Sequence, residues 1–151
     1  MKQDSKTRQL GPQASVPDPR RHLLSAVLAF VRAARSSPGV LRIALLGSLS
    51  TNKPVPRDAD VLVTIDAAMD LSSLARFGRR LKGTAQTINL GADIFLADRS
   101  EHYLGRICHY RECHPRAACR ALHCGQRQHL NDDLQIVTLS PALISAPPID
   151  L

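Results

Sequence analysis

Aromatic residues are scarce in this chain: 151 residues include no Trp, two Tyr and three Phe. A core without large rings has to be built from aliphatic side chains. The same scarcity argues against a surface that binds single strands, which works by stacking bases on aromatic side chains. Acidic residues are few as well, 13 against 20 Lys and Arg, for a formal net charge of +7. That balance favours polyanionic partners such as RNA, or triphosphates. Long apolar runs are missing, and none approaches the roughly 18 residues of a membrane span. Leu23 to Val31 follows Arg20-Arg21 but is interrupted by Ser25, and its polarity is helical rather than that of an export signal. The expectations are no membrane association and a cytoplasmic location, where cysteines are thiols or metal ligands more often than disulfides.

The hydrophobic fraction of 44% and the charged fraction of 22% are ordinary for a globular domain. Residues 1–17 are polar and aperiodic and read as a flexible tail. Asp18-Pro19 reads as an N-cap followed by proline at the first helical position. Leu23, Leu24, Val27, Leu28 and Val31 then share one face of a helix ending near Ser36. The short apolar runs Val40 to Leu46 and Val61 to Ile65 read as buried strands. Asp70 is placed to cap a helix from Leu71 to Lys82, closed by Gly83. Its inward face is Leu71, Leu74, Ala75, Gly78 and Leu81, and Arg76, Arg79, Arg80 and Lys82 make its outer side basic. A short strand at Gln86 to Asn89, a strand at Asp93 to Ala97 and a last strand-like run at Leu134 to Leu139 complete the pattern. This alternation predicts an α/β (α+β) fold, a mixed sheet flanked by helices. Residues 18–100 form the core, 101–140 a Cys/His-rich appendage with the last strand, and 141–151 a Pro-rich tail.

Between the first two strands stands Gly47-Ser48, then nine residues, then Asp58-Ala59-Asp60. Side chains alternate along a strand, so Asp58 and Asp60 point the same way, roughly 7 Å apart along the chain. Two carboxylates on one face repel unless a cation sits between them. Mg²⁺ suits the position, because it takes one or two protein carboxylates and fills its other sites with phosphate oxygens and water. A Gly-Ser turn lets the backbone approach a phosphate closely.

This stretch resembles the nucleotidyltransferase superfamily (the DNA polymerase beta-like group, minimal nucleotidyltransferase type). Its signature is Gly-Ser or Gly-Gly, about ten residues, then Asp-x-Asp inside a strand, with a third carboxylate on a later strand. Asp93, in Gly91-Ala92-Asp93-Ile94-Phe95-Leu96, fits that last role, and the resemblance covers Val40 to Ala97. The spacer departs from the family in carrying two prolines, Pro54 and Pro56, which should cut short any helix after Ser48. The resemblance implies transfer of a nucleoside monophosphate from an NTP to a hydroxyl acceptor, releasing pyrophosphate. It further implies that Asp58, Asp60 and Asp93 hold Mg²⁺ (or Mn²⁺), with Gly47 and Ser48 on the phosphates. The acceptor is open between a small molecule, an RNA end and a protein hydroxyl. The alternative is a non-catalytic or antitoxin-like regulatory module that uses the same fold to bind a protein or RNA partner.

Other charged groups read as structural. Lys53 and Arg57 are exposed loop charges, Asp66 sits at a strand end, Asp98 belongs to a turn, and the Asp pair in His129 to Asp133 caps or turns. The segment after Tyr103 gathers all four cysteines, Cys108, Cys113, Cys119 and Cys124, spaced C-x4-C-x5-C-x4-C. Four thiolates can close a structural Zn²⁺ site, with His109, His114 or His123 as substitute ligands. The spacing is not that of a zinc ribbon, and ordinary thiols are the alternative.

Overall fold

The computed structural model describes residues 18–108, 127–132, 134–135 and 137–151. The tail assigned to residues 1–17 lies outside them. Helix α1 (Pro19–Ala34) begins as expected: the Asp18 carboxylate accepts the Arg20 backbone N–H at 3.1 Å, and Pro19 fixes the first turn. Its buried stripe is Leu23, Ala26, Val27, Phe30, Val31 and Ala34. Leu28, expected in this stripe, is instead 47% exposed. The small residues Ala26 and Ala34 continue the 3–4 spacing from Leu23, which leaves Leu24 and Leu28 on the shoulder.

Strands β1 (Val40–Leu46) and β2 (Asp58–Ile65) stand where the apolar runs put them. The spacer between them forms a single 3-10 turn, Ser48–Ser50. Helix α2 (Ser72–Gln86) is introduced by Asp70, whose Oδ1 accepts the Ser72 backbone N–H at 2.8 Å and its hydroxyl at 2.7 Å. It does not stop at Gly83, and no strand forms at Gln86 to Asn89. With Ala85 buried, the helix gains more by continuing, and Asn89, at φ 59°, then turns the chain into β3 (Gly91–Ala97).

Sequence reading missed strand β4 (Tyr103–Ile107), which runs into the cysteine segment. Asp98 makes the turn that precedes it, accepting the backbone N–H groups of Ser100 and His102 at 2.9 Å each. A two-residue strand β5 (Leu130–Asn131) follows. The expected strand at Leu134 to Leu139 is not found among the described residues, and Leu134 is 47% exposed. Helix α3 (Pro141–Ser145), capped by Ser140, and strand β6 (Ile149–Asp150) occupy what reads as a Pro-rich tail. Arg42 grips Asp150 through two bonds of 2.5 and 2.9 Å, tying β6 to β1.

The six strands form one mixed sheet in the order β5-β4-β3-β2-β1-β6. β2 and β3 are parallel, joined through α2, and the other pairs are antiparallel. The pleat sorts the residues cleanly. Ile43, Leu45, Ala59, Val61, Val63, Ile65, Ala92, Ile94 and Leu96 pack with α1 and α2 into the main core. Ala44, Leu46, Leu62, Phe95, Ala97 and Ile144 form a smaller cluster on the opposite face. The described fold is thus mixed α/β, as expected from the pattern.

Candidate active site

Register brings the three aspartates together. Ala59 is buried towards the helices, so Asp58 and Asp60 on either side of it face the other way. In the parallel β2–β3 ladder Asp60 is opposite Asp93, and Asp58 is opposite Gly91. Neighbouring strands are only about 4.8 Å apart, so the Asp60 and Asp93 carboxylates are side by side on the face away from α1 and α2. On the other flank Asp60 pairs with Leu46, one residue before Gly47. Sheet order therefore places the Gly47-Ser48 turn beside the carboxylates with no intervening element.

Two glycines make room for two carboxylates. Gly47 has φ 65° and ψ −155°, a conformation that side chains other than hydrogen strain to adopt. A Cβ there would also collide with Asp60 Oδ2. At Gly91 a Cβ would stand 2.5 Å from Asp58 Oδ1. Gly91 was not expected to matter, and only its place directly before Ala92-Asp93 hints at it.

The turn is braced by its own polar groups. The Ser50 and Thr51 hydroxyls donate to the Gly47 and Ser48 carbonyls at 2.6 and 2.7 Å. Ser48 Oγ accepts the Arg57 backbone N–H at 3.3 Å, closing the spacer across nine residues. That bond leaves the hydroxyl proton of Ser48 free to be donated elsewhere. Arg20, another residue sequence reading missed, donates from α1 to the carbonyls of Leu49 and Lys53. Lys53 and Arg57 are exposed, as expected of loop charges.

Charge is concentrated at one point. Burial, then the charges of Asp58 and Asp93, push the Asp60 carboxyl up to about 6. Burial also raises Asp93, opposed by the nearby cations of Arg106 and Lys82. The Arg106 guanidinium lies 3.8 Å from the Asp93 carboxylate. Among the described residues no group of three or more His, Cys, Asp or Glu side chains is arranged to hold a metal ion. Mg²⁺ at this face would have to take most of its oxygens from water and phosphate, as it does when bound by only one or two carboxylates. The raised Asp60 carboxyl marks this face as one that a bound cation would relieve.

Other sequence candidates stand apart. Asp66 is exposed at the opposite end of β2, and Asp98 is engaged in its turn. Cys108 is buried at the end of β4. Cys113, Cys119 and Cys124, and with them the zinc reading, lie outside the described residues. Among the described residues no helix is long and apolar enough to cross a membrane. No model of a known protein family matches this chain, and neither does any curated protein or solved structure.

Proposed function

We propose that this chain is a metal-dependent nucleotidyltransferase that moves a nucleoside monophosphate from an NTP to a hydroxyl acceptor. The observation that carries the reading is the placement of Asp58, Asp60 and Asp93 on one sheet face, against a Gly47 turn too tight for any side chain. When bound there, Mg²⁺ or Mn²⁺ neutralises the triphosphate and polarises the reacting phosphoryl group. Asp58, Asp60 and Asp93 would hold it. The Gly47-Ser48 turn offers backbone N–H groups and the Ser48 hydroxyl proton to the terminal phosphates, orienting pyrophosphate as the leaving group. Asp93, on the flank away from that turn, would take the acceptor's hydroxyl proton. The acceptor oxygen then bonds to the α-phosphorus as the α–β anhydride bond breaks.

The fold assignment within the nucleotidyltransferases belongs to the same proposal, supported by the β2–α2–β3 unit with an antiparallel β1 before it. Incubating the protein with Mg²⁺, each labelled NTP in turn and cell extract tests it. Label should pass to an acceptor with the parent chain and not with the Asp58→Asn/Asp60→Asn double variant. Label transfer that survives the double substitution would defeat the proposal.

A further inference from the structure

The acceptor side of the site has its own cation, and a backbone irregularity aims it. β4 pairs with β3 through Phe95–Arg106, Leu96–Gly105 and Ala97–Tyr103, so β4 carries one extra residue where β3 advances by one. Without that bulge, Tyr103 and Arg106 would fall on opposite faces of the strand. With it, both face the carboxylate side. Tyr103 joins the cluster with Phe95 and Ala97, its ring 6.5 Å from that of Phe95, and Arg106 reaches Asp93. The bulge is held by Gly105 at φ 130°, where a Cβ would meet the Asn131 backbone and stand 2.9 Å from Asp132 Cα.

Arg106 is more than its pairing uses. Its side chain is 25% exposed, so most of its hydration is lost. Among the described residues its ion pair is with Asp93, long at 3.8 Å and not a forked pair of hydrogen bonds. A guanidinium has five N–H donors in a planar fork that matches a phosphate. The order across the sheet is the Gly47-Ser48 turn on β1, the aspartates on β2 and β3, and Arg106 with Tyr103 on β4. The cation is thus separated from the turn by the carboxylates and stands on the flank left for the acceptor.

Resting on the nucleotidyl-transfer reading, we propose that Arg106 and Tyr103 form an acceptor-side subsite for a phosphate group, so that the hydroxyl acceptor is itself phosphorylated. Arg106 serves as the counter-ion of Asp93 until a divalent ion takes over that carboxylate, and its fork then turns to the acceptor's phosphate. The Tyr103 hydroxyl adds a second donor.

Calorimetry tests this without turnover. The protein is first saturated with Mg²⁺ and a non-hydrolysable ATP analogue, and inorganic phosphate is then titrated. The parent should bind phosphate. Arg106→Gln should bind it at least about tenfold more weakly, the effect of one charge-assisted hydrogen bond. Arg106→Lys should fall between the two, and Tyr103→Phe, which keeps the ring packing, should lose a few-fold. All variants should bind the analogue like the parent. Displacement of the phosphate by glycerol 3-phosphate points to a small acceptor, and displacement by a short oligoribonucleotide points to an RNA end. Parent affinity for phosphate in both Arg106→Gln and Tyr103→Phe, no phosphate binding by the loaded parent, or displacement by neither compound would overturn the subsite. Failure of the parent to bind the analogue at all would instead remove the transferase reading on which it rests.

Discussion

The two faces of the sheet are built for different ends. The face under α1 and α2 is continuous aliphatic packing, with Val61, Val63, Ile65, Ile94 and Leu96 fully buried. The other face buries only a small cluster around Leu62, Phe95 and Ile144, and spends the ends of its strands on carboxylates and glycines. Residues one apart along β2 thus serve opposite purposes: Ala59 and Val61 hold the fold, while Asp58 and Asp60 load it with repulsion. One sheet can carry a costly site because its pleat keeps that site away from the packing that maintains it.

The largest effects should come from breaking the helix-side core. Leu96→Ala should cost about 4 kcal/mol in urea unfolding, within the usual range for a buried leucine in rigid surroundings. Ile144→Ala, on the opposite face, should cost about 2 kcal/mol, because the five-residue α3 can settle into the space left. Equal losses at the two positions would mean that the faces do not differ in rigidity.

Next in size is the third carboxylate. Asp93→Asn should bind NTP nearly as well as the parent yet transfer at least about 100-fold more slowly, roughly 2.7 kcal/mol of transition-state stabilisation. A single-turnover rate equal to that of the parent would make Asp93 a strand residue with no part in the chemistry.

Removing charge from the site should stabilise the metal-free protein. The carboxyl of Asp60 is raised above its unfolded value by burial and by Asp58 and Asp93, so the folded state binds the proton more tightly than the unfolded state. Stability from this group is therefore greatest below the unfolded pKa and falls as pH rises through about 6. Asp60→Asn should gain roughly 2 kcal/mol at neutral pH after discounting for partial exposure, and the gain should vanish below about pH 4. Thermal melts of both proteins in chelator at several pH values check the sign. A gain that grows as pH falls would contradict it.

Gly47→Ala is the smallest of these changes. Its positive φ and the contact with Asp60 should cost about 1–2 kcal/mol in stability. The same substitution should displace the carboxylate, so that Mn²⁺ affinity falls while the helix-side core is untouched. Wild-type Mn²⁺ affinity in this variant would show that the turn is not fitted to Asp60.

Local pattern made one face of this molecule legible. The N-cap at Asp18, strands β1 to β3 and the inward side of α2 follow from period and capping alone, and the same-face aspartates follow from a period of two. What was missed is non-local. β4 is only five residues long, includes a glycine and is bulged, so it has no clean alternation. β6 is two residues held by pairing and by Arg42–Asp150, partners 108 apart in sequence. Arg20 steadies the turn after Gly47 from 29 residues away, and Arg106 meets Asp93 only because a bulge turns it there. Gly83 misled in the other direction: glycine permits a helix end without requiring one.

The decisive point is whether the aspartates on the face away from α1 and α2 bind a metal–nucleotide complex. Titrating Mg²⁺–NTP calorimetrically into the parent and into the Asp58→Asn/Asp60→Asn variant, with melts to show that both are folded, tests this most directly. The parent should bind, and a folded double variant should not. Unchanged binding in the double variant would contradict this.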